Sequence, residues 1–221
     1  EEESGEQYRF VLPGSRLHPA EWEAVLDRLA SLKDRPKYVV ASGSVPPGVP
    51  ENFFARVARH AKAHGAKAVI DTSGPALAAA LDEGVAVIKP NLLELAEYVG
   101  NPLDRDEDRI AACRKLAAGG RSEIVALTLG EQGALLVTAD RAWRALPLKI
   151  EAVSTVGAGD SFLGGLVATL AANKPLPDAF KVAVAAASSA VHTPGTGLCQ
   201  PDEVERLLAD VQIREVARIA A

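Results

Sequence analysis

Between Tyr38 and Leu127, four short apolar runs alternate with helix-type patterns, and each run ends in a polar loop. The runs are Tyr38-Val39-Val40-Ala41, Ala66-Lys67-Ala68-Val69-Ile70-Asp71, Val85-Ala86-Val87-Ile88 and residues 123–127. Helical spacing of apolar residues covers 53–64, 75–81, 92–99 and 106–118 between them. Such alternation requires crossover connections, which are right-handed, and predicts an α/β fold with a largely parallel sheet covered on both faces. Ligands of these sheets sit beyond the carboxyl ends of the strands. The loops at 42–48, 71–74, 89–91 and 128–133 are therefore expected along one edge. Tyr38–Ala41 reads as a buried strand. Upstream, residues 7–11 are strand-like and stop at Pro13-Gly14, and 19–32 reads as a helix with Trp22, Val25, Leu26 and Leu29 on one face. Residues 134–137 and 141–146 predict a β-meander. The last third reads as helices over 160–172 and 178–191, with a final helix from Pro201.

At 221 residues the chain is most economically one domain. Its apolar fraction of 48% and charged fraction of 24% are those of an ordinary globular protein. No apolar run has the length of a membrane span, and no secretory signal is recognisable. The net charge is −5, and no basic cluster is interleaved with aromatics. Neither nucleic acid nor a membrane is expected as a partner. Cys113 and Cys199 have no scaffold spacing and no nucleophile setting, which fits a reducing, cytoplasmic compartment. The sequence holds no methionine and opens on Glu1-Glu2-Glu3-Ser4-Gly5, so the expectation is a piece of a longer protein.

The densest chemistry lies in Ser154-Thr155-Val156-Gly157-Ala158-Gly159-Asp160, a glycine-rich turn running into an alanine-rich helix. Small residues let backbone N–H groups face one concavity, and the helix N-terminus adds positive potential, so the turn suits an anion. Asp160 would repel that anion, which makes sense if its task is to take a proton. The alternative is an ordinary glycine-rich loop with an aspartate cap. Lys89-Pro90-Asn91-Leu92-Leu93-Glu94 follows an apolar run directly, with Asn91 and Glu94 on one face of a helix start. Glu94 can orient a hydrated Mg²⁺ and Lys89 can neutralise phosphate; an Asn cap with an acidic first turn is the other reading. Thr128-Leu129-Gly130-Glu131-Gln132-Gly133 lets backbone approach a flat ligand or a phosphate, or is a plain hairpin turn. Ser42-Gly43-Ser44 before Pro46-Pro47-Gly48 presents hydroxyls for a sugar or phosphate, or simply turns the chain. Gly157-x-Gly159 is not a dinucleotide fingerprint, because Phe162 stands where a third glycine belongs. His18, His60, His64 and His192 are scattered and read as surface or capping residues.

Taken in order, Ser42-Gly43-Ser44, Lys89-Pro90-Asn91-x-x-Glu94, Thr128-x-Gly130-x-x-Gly133 and Thr155-x-Gly157-Ala158-Gly159-Asp160 resemble the ribokinase-like, or pfkB-type, carbohydrate kinases. Residues 4–11, Ser154-Thr155-Val156 and Gly195-Thr196-Gly197-Leu198-Cys199 most resemble the minor-isozyme ATP-dependent 6-phosphofructokinases. Fructose-1-phosphate and tagatose-6-phosphate kinases are near relatives. The resemblance implies a three-layer α/β/α sandwich and phosphoryl transfer from ATP–Mg²⁺ to a sugar-phosphate hydroxyl.

It further implies that Asp160 is the base for the sugar hydroxyl and that the Gly157, Ala158 and Gly159 amides form the anion hole. Lys89 and Asn91 would meet the ATP phosphates, Glu94 would orient Mg²⁺, and Ser44 would touch the sugar phosphate. Thr128, Leu129, Gly130, Glu131, Gln132 and Gly133 would line the nucleotide with Ala152, Val153, Ser154, Thr155, Val184 and Ser188. A monovalent-cation site, for K⁺, would use oxygens of Ser154, Val156, Ala190, Thr193, Gly195 and Gly197. Two departures weaken side-chain roles: Ala152 and Gly197 stand where polar or larger residues are unsurprising. Family members also begin with an N-terminal segment that grips the sugar, forms most of a small β-lid and often makes a homodimer. Residues 1–14 are expected to be a remnant of that lid, and 15–221 the nucleotide-binding and catalytic domain. A nucleotide-binding module without turnover, and a kinase for a nucleoside or vitamin, are the competing functions.

Overall fold

The computed structural model describes residues 14–150 and 152–218. The expected lid strand at 7–11, and all of the 1–14 segment except Gly14, lie outside the described residues. A seven-stranded sheet runs in sequence order: β1 (Tyr38–Ser42), β2 (Lys67–Asp71), β3 (Val85–Ile88), β4 (Ser122–Thr128), β5 (Ala134–Val137), β6 (Arg141–Ala145) and β7 (Ile213–Arg218). β1 through β4 are parallel, and β4 through β7 pair antiparallel. The helices are α1 (Pro19–Ala30), α2 (Phe53–Ala63), α3 (Gly74–Glu83), α4 (Leu92–Val99), α5 (Asp106–Ala118), α6 (Ala158–Ala171), α7 (Leu176–Val191) and α8 (Pro201–Leu208).

Strands added one after another through right-handed crossovers put all their helices on one face. Ala68, Ile70, Ile88, Leu127, Leu135 and Val137 accordingly share a core with residues of α2–α5. The alternate residues Val69, Val87, Ala126, Leu136 and Trp143 face the opposite way, against α6–α8. The period-2 alternation of each strand thus feeds two cores, giving the α/β/α sandwich. Among the described residues no helix is long and apolar enough to cross a membrane.

Three elements depart from the sequence reading. β1 is not a buried strand: it ends the sheet among the described residues, and Val40 is 49% exposed. The neighbours of Val40 on its face of β1 meet the helix layer, Tyr38 packing against the α6–α8 core and Ser42 reaching Asp160, while Val40 between them stays open. Val25 is also exposed, because α1 buries only Trp22 and Leu26, which pack with Val57 of α2. The third is β7, which the sequence does not announce. Its register skips Val216, with Glu215 opposite Trp143 and Ala217 opposite Ala142, so a bulge breaks the alternation that marks a strand.

Candidate active site

The parallel strands deliver their polar ends to one edge. Ser42 and Asp71 are register partners across β1 and β2, so their side chains share a face. The Ser42 hydroxyl lies 3.3 Å from Asp71 Oδ2 and 3.4 Å from Asp160 Oδ1. Its one proton serves either carboxylate. Lys89, one residue past β3, places Nζ 3.2 Å from Asp71 Oδ1, and its side chain is 8% exposed. Burial pushes the Asp71 carboxyl up, the Lys89 ammonium and the Ser42 hydroxyl pull it down, Glu94 pushes it up again, and the net shift is upward. A carboxylate left at such a cost is characteristic of working sites.

Asp160 lies in the first turn of α6, whose N-terminal amides have no carbonyl one turn earlier. Gly157 caps the helix at φ 84°, and a Cβ there would lie 3.0 Å from the Gly197 carbonyl oxygen. A Cβ at Gly159 would lie 3.1 Å from Lys89 Nζ. Glycine at these two positions therefore admits the 197 carbonyl on one side of the turn and a buried ammonium on the other. The Lys89 ammonium, the helix N-terminus and the Asp160 carboxylate thus meet at one turn, with Asp71 and Ser42 beside them.

Asn91 caps α4: its Oδ1 accepts from Glu94 N at 2.9 Å, while Asn91 N donates to Glu94 Oε2 at 2.8 Å. Asn91 and Glu94 thus hold each other as a capping box, which commits only one oxygen of Glu94. Among the described residues no group of three or more acidic, Cys or His side chains could cage a metal. Glu94 and Asp71, close enough to perturb each other, suit a Mg²⁺ that keeps most of its waters.

Thr128 ends β4 and bonds across to the same loop, its N–H donating to Pro90 O at 3.0 Å. The following residues form the β4–β5 hairpin around a 3-10 turn, Gly130–Gln132. Leu129 is buried in the core, Glu131 is exposed, and Gln132 Oε1 accepts from Arg109. Ala152 and Val153 are exposed, Val184 is buried behind α6 and Ser188 is half-buried. The Val153 and Ser154 amides both donate to Val191 O, and Ser154 Oγ donates to Gly195 O at 2.7 Å. Val156 N donates to Ser154 Oγ, Thr193 N to Ala190 O, and Thr193 Oγ1 to Leu198 O. These bonds tie Ser154 to Val156 and Gly195, and Thr193 to Ala190 and Leu198, beside the turn where Gly157 meets Gly197. Ser44 is exposed on a cleft of about 650 Å³ that Thr72, Ser73 and Glu51 also line.

Sequence reasoning named Ser42 only as one of the hydroxyls of its loop and gave Asp71 no role. Their signal was weak, a polar residue closing each strand, and their meeting depends on sheet order.

A model of the pfkB family carbohydrate kinases matches residues 2–203. The chain belongs to the pfkB family. Within it, ATP-dependent 6-phosphofructokinase isozyme 2 of Mycobacterium tuberculosis is 39% identical over 206 residues, which are 93% of this chain and 60% of that protein. The Escherichia coli isozyme 2 is 36% identical over 94% of this chain and 67% of its own length, and the E. coli 1-phosphofructokinase 32% over 96% and 68%. The chain thus spans about three fifths of the mycobacterial relative. E. coli phosphofructokinase-2 in complex with substrates and products superposes with a TM-score of 0.88 at 36% identity, covering 95% of this chain and 68% of that one. The same pfkB kinase in complex with potassium gives a TM-score of 0.87 at 36% identity, covering 94% and 67%.

Proposed function

We propose that this chain carries the nucleotide-binding and catalytic portion of an ATP-dependent sugar-phosphate kinase that converts fructose 6-phosphate and ATP to fructose 1,6-bisphosphate and ADP. The observation that carries the reading is the Asp160 carboxylate in the first turn of α6, with the Lys89 ammonium against Gly159. The sugar hydroxyl gives its proton to Asp160 as its oxygen bonds to the γ-phosphorus. The bond to the bridging oxygen breaks and ADP departs with that electron pair. The amides of Gly157, Ala158 and Gly159, with Lys89, stabilise charge on the moving phosphoryl group. Asp71 and Ser42 hold Lys89 and Asp160 in mutual reach.

Mg²⁺, when bound, neutralises the terminal phosphates, and Glu94 with Asp71 would hold its water shell. Oxygens of Ser154, Val156, Ala190, Thr193, Gly195 and Gly197 would hold K⁺, a reading supported by the potassium complex of the E. coli relative. The Gly197 carbonyl, against which Gly157 packs, would link a cation held there to the shape of the turn. The 128–133 and 152–155 segments, with Asn91, Val184 and Ser188, are assigned to the nucleotide, and Ser44 to the sugar phosphate. A homodimer is proposed for the full-length protein, although the inhibited form of the E. coli relative is tetrameric. Two free cysteines favour a cytoplasmic setting.

A coupled assay of the purified protein with Mg²⁺, ATP and fructose 6-phosphate tests the reading. Asp160→Asn is expected to lose roughly 10²–10⁴-fold in turnover while binding ATP nearly normally. Unchanged turnover removes Asp160 from the mechanism. Faster turnover of fructose 1-phosphate moves the chain to the 1-phosphofructokinase side of the family, whose members are 32–34% identical to it.

A further inference from the structure

Behind the Gly130–Gln132 turn lies an ionic cluster that the proposed reaction does not use. Asp106 opens α5 and bridges two arginines: Oδ1 accepts from Arg109 Nη1 at 2.9 Å and Oδ2 from Arg144 Nε at 2.8 Å. Arg144 sits on β6 opposite Leu135, facing the α2–α5 side, and its side chain is 10% exposed. Its Nη2 donates to the Gln132 carbonyl at 2.6 Å, and its Nη1 to the Ala134 and Ala145 carbonyls at 3.2 and 2.6 Å. Arg109, 7% exposed, donates to Gln132 Oε1 at 3.1 Å and to the Leu103 and Asp104 carbonyls at 2.9 and 3.2 Å. Gln132 is therefore gripped twice, by its backbone from β6 and by its side chain from α5.

A hairpin turn has no need of this. The chain already closes with Leu129 N donating to Gly133 O and Gly133 N to Gly130 O. For stability alone, desolvating two guanidiniums against a carboxylate that stays 38% exposed is a poor choice beside well-packed apolar side chains. What the cluster adds is definition. Every nitrogen of both guanidiniums is engaged, and their partners tie the Gln132 turn and the start of β5 to the end of β6 and to the 103–106 segment that opens α5. Gly133, at φ 92°, completes the fit, since a Cβ there would lie 2.4 Å from the Ala145 carbonyl oxygen that Arg144 also holds.

We propose that Asp106, Arg109 and Arg144 are positioning residues that fix the 130–133 turn in the shape that receives the nucleotide, so that ATP affinity depends on a buried ionic cluster carried by α5 and β6. The inference rests on the reading of that turn as nucleotide-lining. The cluster itself touches no substrate.

Asp106→Asn and Arg144→Lys separate this role from general stability. Each is expected to raise the KM for ATP about tenfold, the scale of one hydrogen bond to a charged group, with kcat and the KM for sugar phosphate within about twofold of wild type. Amide hydrogen exchange over 130–133 in the ligand-free variants is expected to quicken, with the rest of the sheet unchanged. Should both variants fail to fold, Arg109→Lys, which keeps the charge but loses the fork that holds Gln132 and the 103–104 carbonyls, is expected to show the same split. Folded variants with wild-type KM for ATP overturn the proposal, as does a fall in kcat that tracks lost stability with both KM values moving together. Wild-type protein that binds no ATP overturns the nucleotide reading itself.

Discussion

Asp71 and Asp106 both sit against buried cations, yet their carboxyls move in opposite directions. At Asp106 burial pushes the carboxyl up, but the hydrogen bonds and charges of Arg144 and Arg109 together outweigh it and hold it below 3.8. At Asp71 burial outweighs Lys89 and the carboxyl stays above 3.8. A depressed carboxyl contributes stability above its unfolded value that is lost as pH falls through the folded one. Asp106→Asn should therefore cost stability at neutral pH, and the difference from wild type should vanish as pH drops below 3.8. Urea midpoints of the two proteins along that descent check it, and a gap that persists in acid removes the ionised carboxylate as its cause. Asp71 runs the other way: its contribution is full in acid and lost as pH climbs through its raised folded value. Wherever it is ionised it burdens the fold, which is intelligible for a group that holds Lys89 at the candidate site.

At the scale of elements, α6 must serve two masters, presenting its N-terminus to the site and packing its flank on α7. Gly164 and Gly165 divide the consequences. A Cβ at Gly165 would lie 3.1 Å from both Ala186 Cβ and the Val182 carbonyl oxygen on α7, whereas one at Gly164 would meet nothing within 4 Å. Gly165 therefore permits the close approach of two helices, and Gly164 only loosens one. Gly165→Ala is expected to lower stability by about 1–3 kcal/mol, the usual cost of overpacking. Gly164→Ala should raise it by about 0.5–1 kcal/mol through the unfolded chain and helix propensity. Urea midpoints of equal sign for the two variants would disprove this division.

At the scale of the molecule, the two cysteines report on how the layers open. Cys113 is fully buried between α5 and the sheet, and burial pushes its thiol up to about 12. Cys199 is half-buried in the loop before α8. Reactivity follows thiolate fraction and access, so native protein should label one thiol readily and Cys113 only as the α2–α5 layer opens. Mass spectrometry after timed exposure to a thiol reagent distinguishes the sites. Equal rates at both would mean that α5 detaches without global unfolding.

The sequence alone determined β2–β5, α2–α5 and the anion turn before α6, because these depend on neighbours within a few residues: alternation, helical spacing, a glycine before a helix. It also singled out the residues to which the proposed chemistry is assigned, Asp160, Lys89 and the Asn91–Glu94 pair. Only the tertiary structure decided which of them meet. Ser42 reaches Asp160 across 118 residues, and Asp106 reaches Arg144 across 38, because sheet order and helix side bring them together. The same holds for Val40, an apolar residue left exposed on the strand that ends the sheet among the described residues, and for β7, a strand disguised by its bulge. Local propensity is written residue by residue, whereas burial and ion pairing depend on what the rest of the chain places opposite.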